Sequence, residues 1–204
     1  LLVNKATPEV LETLDLSSWQ VAFNGAEPVR QETLERFAKT YEPCGFNRLA
    51  LFPCYGLAES SVFVCSSRTD TLPVIKNFDK KGLEQNNIIE SDAEDSRTLV
   101  GSGHWSGSQS VKIVDPETRL EVPNGQMGEI WVKGPNVMKG YYKEPQLNKQ
   151  AFSEDGWFKT GDLGIFDNDN FLFIKGRLKN MIVGSSGENI YPEEIESIIN
   201  NFKY

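Results

Sequence analysis

Histidine occurs once in these 204 residues, as His104, so neither a histidine-based triad nor a multi-histidine metal site can be built from this chain alone. Cys44, Cys54 and Cys65 are odd in number and lack metal-ligand spacing. They read as inert thiols of a reducing compartment, with the cytoplasm as the default location. No apolar run approaches membrane-spanning length, and Leu1-Leu2-Val3-Asn4-Lys5 carries neither an initiator Met nor a cleavage-site pattern, so it reads as a chain entered midway. Lys and Arg number 21 against 29 Asp and Glu, a formal charge of −8 that argues against a broad nucleic-acid footprint but not against a local nucleotide site. Familiar phosphate devices are missing too. No glycine loop ends in Lys-Ser or Lys-Thr, and Gly101-Ser102-Gly103 is not continued as a dinucleotide fingerprint.

What is present begins with Thr7-Pro8-Glu9, a hydroxyl cap with Pro at the first helical position and an acid in the first turn. A short strand is expected over Trp19 to Phe23. A helix follows over Arg30 to Tyr41, where Leu34, Phe37, Ala38 and Tyr41 recur at helical spacing. A second strand is expected over Arg48 to Phe52, and strand, helix, strand in this order points to a parallel-sheet layer of an α/β fold. Ser66 to Arg97 is polar, acidic and weakly periodic, long enough for a connection to be functional or mobile. Beyond it, Val111 to Val114, Glu129 to Lys133 and Phe171 to Lys175 read as strands of a β-rich subdomain. Asn124-Gly125 and Asn168-Asp169-Asn170 supply turns. Asp167-Asn168-Asp169-Asn170 lacks the glycine and distal glutamate of a calcium loop and is expected as a hairpin turn. His104 is expected in a loop, and Pro192 to Phe202 in a helix with Ile195, Ile198, Ile199 and Phe202 on one side.

Five glycine-punctuated segments stand in fixed order: Asn24-Gly25-Ala26-Glu27-Pro28, Tyr55-Gly56-Leu57-Ala58-Glu59, Gly128-Glu129-Ile130-Trp131-Val132, Gly156-Trp157-Phe158-Lys159-Thr160-Gly161-Asp162-Leu163-Gly164, and Gly176-Arg177-Leu178-Lys179. Order and spacing resemble the adenylate-forming superfamily of acyl-CoA synthetases, adenylation domains and luciferases over nearly the whole chain. The first two segments, with Pro43-Cys44-Gly45-Phe46 and the long stretch after Val64, resemble its fatty acyl-AMP ligase branch more closely.

The resemblance implies that residues 1–178 are the C-terminal portion of a large AMP-binding domain. Within it, 66–97 is a branch-specific insertion and 98–178 the β-rich subdomain, while 179–204 is the hinge and the start of a small C-terminal domain. It implies ATP and Mg²⁺ as cofactors. Asn24, Gly25, Ala26 and Glu27, then Tyr55, Gly56 and Ala58, then Asp162 and Arg177 are the implied nucleotide contacts. Tyr55 offers a flat surface to adenine, and Gly25, Ala26 and Gly56 allow close backbone approach. A carboxylate at Asp162 can accept from both hydroxyls of a ribose, and Arg177 presents a fixed fork of donors that cannot deprotonate. Glu59 is the implied Mg²⁺ ligand and catalytic residue, though an acid there also suits a helix start, as Asp162 also suits a turn. Lys179 matches the superfamily hinge and equally fits a surface charge.

The resemblance also implies a phosphate loop before Leu1 and an acyl-contacting lysine after Tyr204, so that the chain alone is expected to be inactive or nearly so. It implies a fatty acid substrate and transfer to the phosphopantetheine thiol of an acyl carrier protein or a polyketide or peptide synthase carrier domain. Gly184 to Pro192, in contrast, looks more like acyl-CoA synthetases and leaves CoA open as acceptor. A non-catalytic remnant that binds nucleotide or docks a partner through the acidic stretch Glu90 to Asp95 is the further alternative. The joint retention of Glu59, Asp162 and Arg177 argues against it.

Overall fold

The computed structural model describes residues 2–105, 107–184, 189–192, 195, 196 and 199. The helix expected from Pro192 to Phe202 lies largely outside these, as do Ser185, Ser186, Gly187 and Glu188. Elements are numbered in chain order.

Thr7 caps α1 (Pro8–Thr13), its hydroxyl accepting from the Val10 amide at 3.4 Å. Strand β1 (Ala22–Asn24) then runs parallel to β2 (Leu51–Tyr55), with Ala22 opposite Leu51, and α2 (Gln31–Tyr41) crosses between them. The helical spacing seen in the sequence buries Leu34, Ala38 and Tyr41 of α2 against Phe46, Ala50 and Leu51. Strand β2 continues antiparallel to β3 (Cys65–Ser66), and β3 to β6 (His104–Trp105), giving the order β1-β2-β3-β6. Both early strands start later than expected. The Trp19 indole donates to the Val21 carbonyl at 2.8 Å and packs edge-on against Phe37 and Phe46, which keeps that segment in a loop. Arg48–Ala50 is a 3₁₀ turn because the Asn47 side chain accepts from the Leu49 amide at 3.0 Å. His104, expected in a loop, pairs with Ser66 and stacks on Phe171 at a centroid distance of 4.2 Å.

The polar stretch from 66 to 97 carries more order than its composition suggests. Strand β4 (Ile75–Phe78) pairs antiparallel with β5 (Arg97–Val100), and α3 (Lys80–Glu84) is capped by Asp79, which accepts from the Gly82 amide at 2.6 Å. Phe78 and Leu83 are fully buried in one cluster with Leu163, Ile165 and Phe173. Lys76 reaches from β4 to buried Asp167 at 2.8 Å and to Glu90 at 2.7 Å. A few well-placed apolar side chains and the Lys76 ammonium, which also lies 3.5 Å from Asp169, thus fasten the stretch to the neighbouring sheet.

That sheet is antiparallel, in the order β10-β9-β8-β7, from β7 (Ser110–Val114), β8 (Gly128–Lys133), β9 (Phe158–Phe166) and β10 (Leu172–Arg177). Helix α4 (Pro145–Ala151) precedes β9. Neither α4 nor β9 was expected from the sequence. The turn at Asp167 to Asn170 is the hairpin turn anticipated there, closed by Asp167 Oδ1, which accepts from the amides of Asp169 at 3.0 Å and Phe171 at 2.8 Å. Tyr55 and Cys65 of the first sheet, with Val64 just before β3, share a core with Val111, Ile113, Ile130 and Val132 of this one, so the two sheets are joined by apolar packing. Short two-residue strands β11 (Ile182–Val183) and β12 (Asn189–Ile190) pair beyond β10. Among the described residues no helix is long and apolar enough to cross a membrane.

Candidate functional site

The hairpin β9–β10 sets Arg177 directly opposite Asp162. Arg177 Nε lies 2.9 Å from Asp162 Oδ1, and the Tyr55 hydroxyl, arriving from the C-terminal end of β2, donates to Asp162 Oδ2 at 2.7 Å. Three residues from two sheets therefore meet at one carboxylate. The Arg177 side chain is 49% exposed and that of Asp162 only 10%, so the carboxylate sits at the floor and the guanidinium at the rim. Burial pushes the Asp162 carboxyl above its usual range. The Tyr55 hydrogen bond and the Arg177 charge act against burial, and the Glu59 and Glu129 charges add to it. Tyr55 is itself pushed well up by burial and by the Asp162 charge, which keeps its hydroxyl protonated and donating.

The backbone around Asp162 is held by residues to which the sequence reading assigns no role. Glu129 is buried, its Oε1 accepting from the Gly161 amide at 3.0 Å and its Oε2 from the Trp131 indole at 2.8 Å. Thr160 donates to the Ile130 carbonyl at 2.8 Å and accepts from the Asp162 amide at 3.1 Å. Gly161 lies at φ +72°, in the left-handed region, and no side chain is crowded there, so backbone conformation is the reason for glycine. The only sequence signal for Glu129 was its place in a glycine-marked segment beside Trp131.

Asp162, Arg177 and Tyr55 line a cleft of about 170 Å³ together with Ala26, Glu27, Gly56, Ser102 and Gly176. An adjoining groove of about 580 Å³ shares Ala26, Glu27 and Arg177. Asn24 and Gly25 line a separate groove with Glu27, and Asn24 Oδ1 is buried with no hydrogen-bond partner among the described residues. A Cβ at Gly25 would meet the Cys54 carbonyl oxygen at 2.9 Å, so the chain passes there only as glycine. The cleft thus joins an aromatic ring, small residues, a buried carboxylate and a guanidinium, the combination that suits a base, a ribose and a phosphate.

Glu59, Ala58 and Lys179 do not line this cleft. Ala58 and Glu59 belong to a 3₁₀ turn, Ala58–Ser60, that follows β2, and Lys179 is exposed on the 3₁₀ turn Leu178–Asn180 that follows β10. Glu59 Oε1 accepts from the Tyr141 hydroxyl at 2.8 Å, a contact between residues 82 apart that no local pattern announces. Its Oε2 accepts from no described residue. Among the described residues no group of three or more His, Cys, Asp or Glu forms a cage for a metal. A lone carboxylate is still suited to Mg²⁺, which keeps several waters and is held by one or two carboxylates together with substrate phosphates.

Comparison with known proteins identifies the family and the fold. The family described as AMP-binding enzyme matches residues 1–142, and the chain belongs to that family. It is 41% identical over 205 residues to the medium-chain-fatty-acid–[acyl-carrier-protein] ligase JamA of Moorena producens, covering 95% of this chain and 34% of that protein. A structure from a study of fatty acyl-adenylate ligases of E. coli and L. pneumophila superposes with a TM-score of 0.90 at 33% identity, over 98% of this chain and 36% of that one. The fatty acyl-adenylate ligase of L. pneumophila in complex with acyl adenylate and pyrophosphate gives a TM-score of 0.80 at 38% identity, over 86% of this chain and 32% of that one. The fold is therefore the α/β fold of adenylate-forming ligases, and the chain spans about a third of the length of the relatives it matches.

Proposed function

We propose that the chain forms part of the nucleotide site of an enzyme that activates a fatty acid with ATP and passes the acyl group to a phosphopantetheine thiol on a carrier protein. A carboxylate oxygen of the fatty acid attacks the α-phosphorus of ATP, the bond to pyrophosphate breaks, and acyl-AMP forms. The thiol sulfur then attacks the acyl carbon, its proton passes to solvent, and AMP leaves. The observation that carries this reading is the Asp162 carboxylate held between Arg177 and Tyr55 in a cleft with small walls.

In this reading Asp162 accepts from the ribose hydroxyls, and Arg177 directs its remaining donors to ribose and phosphate. Tyr55, Gly56 and Ala26 take the base, with Asn24, Gly25, Glu27 and Ala58 shaping the approach. Glu59 would hold Mg²⁺, which offsets charge on the triphosphate when bound. Lys179 marks the hinge between the large and small domains. Residues 66–97 are the branch insertion, 98–178 the β-rich subdomain, and 179–204 the hinge and the start of the small domain. Three free thiols, two of them buried, fit a cytoplasmic enzyme.

Calorimetry of a stable acyl-AMP analogue with a full-length version tests the site. Asp162→Ala is expected to bind about 10- to 100-fold more weakly than wild type, the loss of hydrogen bonds to a charged group. Equal affinity would remove the ribose assignment. Supplying carrier protein or CoA as acceptor then separates the two ligase readings, because acyl transfer to CoA alone would overturn the carrier assignment.

A further inference from the structure

The turn that bears Glu59 is built against one distant segment, residues 136–141, and three residues of that segment converge on it. The Asn136 side-chain amide donates to the carbonyls of Ser60 and Phe63, each at 3.0 Å. The Met138 amide donates to the Glu59 carbonyl at 2.7 Å. The Tyr141 hydroxyl reaches the Glu59 carboxylate itself at 2.8 Å. Tyr141 is in turn fixed at its backbone, since Asn148 accepts from its amide at 2.6 Å and donates to its carbonyl at 2.9 Å. Gly140, at φ +144°, has no room for a side chain because a Cβ would meet the Asn148 carboxamide at 2.9 Å.

The turn itself is strained. Ser61 and Val62 lie at φ +54° and +68°, and a β-branched residue in the left-handed region is sparsely populated unless its surroundings impose it. Segment 136–141 supplies that imposition, and its last residue is the one that touches a carboxylate oxygen.

We propose that Tyr141 is a positioning residue for Glu59: its hydroxyl occupies Oε1 and leaves Oε2 as the oxygen presented to a divalent cation carried by the nucleotide. This rests on Glu59 as the metal-holding carboxylate in the reading above. Outer partners of a metal-ligating carboxylate fix its orientation, and their loss commonly weakens metal affinity by about 10- to 100-fold. A phenylalanine at this position would keep the ring and its backbone clamp and lose only the donor.

The test uses the full-length enzyme with a non-hydrolysable ATP analogue and Mn²⁺ as a spectroscopic probe of the cation site, read by electron paramagnetic resonance. Tyr141→Phe is expected to weaken Mn²⁺ binding about tenfold, while calorimetric affinity for the metal-free acyl-AMP analogue stays within about twofold of wild type. Tyr142→Phe, at a neighbour that is 84% exposed, is expected to change neither. Wild-type Mn²⁺ affinity in Tyr141→Phe would overturn the proposal, and so would a parallel loss of acyl-AMP analogue affinity, which marks a general structural role. Glu59→Gln distinguishes the layers. If it weakens Mn²⁺ binding while Tyr141→Phe does not, only the role of Tyr141 fails. If Glu59→Gln also binds Mn²⁺ like wild type, the metal assignment of Glu59 fails and takes the proposal with it.

Discussion

Burial disfavours the charged form of Asp162, while Tyr55 and Arg177 favour it, and the net displacement of its pKa is upward. An acid whose folded pKa exceeds its unfolded value contributes stability that is present below the unfolded pKa and lost as pH rises through the folded one. Asp162→Asn, which carries no charge to desolvate, should therefore gain stability relative to wild type between about pH 4 and 7, measured as the difference in Tm at the two pH values. A constant difference would show that burial does not govern this carboxyl. If Asp162 accepts from the ribose hydroxyls as proposed, binding uses its ionised form, and affinity for the acyl-AMP analogue should fall as pH drops through the Asp162 pKa. Tyr55→Phe removes a donor that favours the charge, and the midpoint should then move to higher pH in calorimetry across pH. Asp162, Arg177 and Tyr55 were legible because, within glycine-marked segments, a carboxylate, a guanidinium and an aromatic ring are the residue types that suit a ribose, a phosphate and a base. Glu129 and Tyr141 were not, since their roles come from contacts between residues far apart in the chain, Glu129 to Gly161 and Tyr141 to Glu59.

Helix α2 was readable from its spacing alone, because one face is buried and the other is wet. Strand β9 was not. It is buried along most of its length on both faces, and its Thr160, Gly161 and Asp162 break any alternation of apolar and polar residues. The polarity of these residues is tolerated because Ile130, Glu129 and Tyr55 satisfy them. The stretch 66–97 misled for a related reason, since Phe78 and Leu83 are too few to show a period, yet both are fully buried. Its attachment can be tested at Lys76. Lys76→Met should cost about 2 kcal/mol in urea unfolding by leaving the buried Asp167 carboxylate without its cation. A change below about 0.5 kcal/mol, the range of ordinary surface substitutions, would mean the ion pair does not fasten the stretch. Gly56 is the other sensitive point, because a Cβ there would overlap the Val62 carbonyl oxygen and the backbone must move. Gly56→Ala should destabilise by about 2–3 kcal/mol, seen as a lower urea midpoint.

At the scale of the molecule, the cleft lies where the two four-stranded sheets meet, with Tyr55 from one and the Asp162–Arg177 pair from the other. A ligand that touches both should lock them together. The acyl-AMP analogue at 100 times its Kd is expected to stabilise the protein by about 2.7 kcal/mol, read as a rise in Tm that Arg177→Ala diminishes. An equal rise in wild type and Arg177→Ala at the same ligand concentration would place the ligand elsewhere. The hairpin that supplies one side of the cleft has a further consequence. Because a slip of one residue turns every side chain on a strand to the opposite face, dropping a single residue from the bend between Phe166 and Leu172 would swing Arg177 away from its partner. Lineages that inherit this hairpin are thus free to vary the letters of the bend but are held to its length, and single-codon gaps should be purged there more strictly than substitutions.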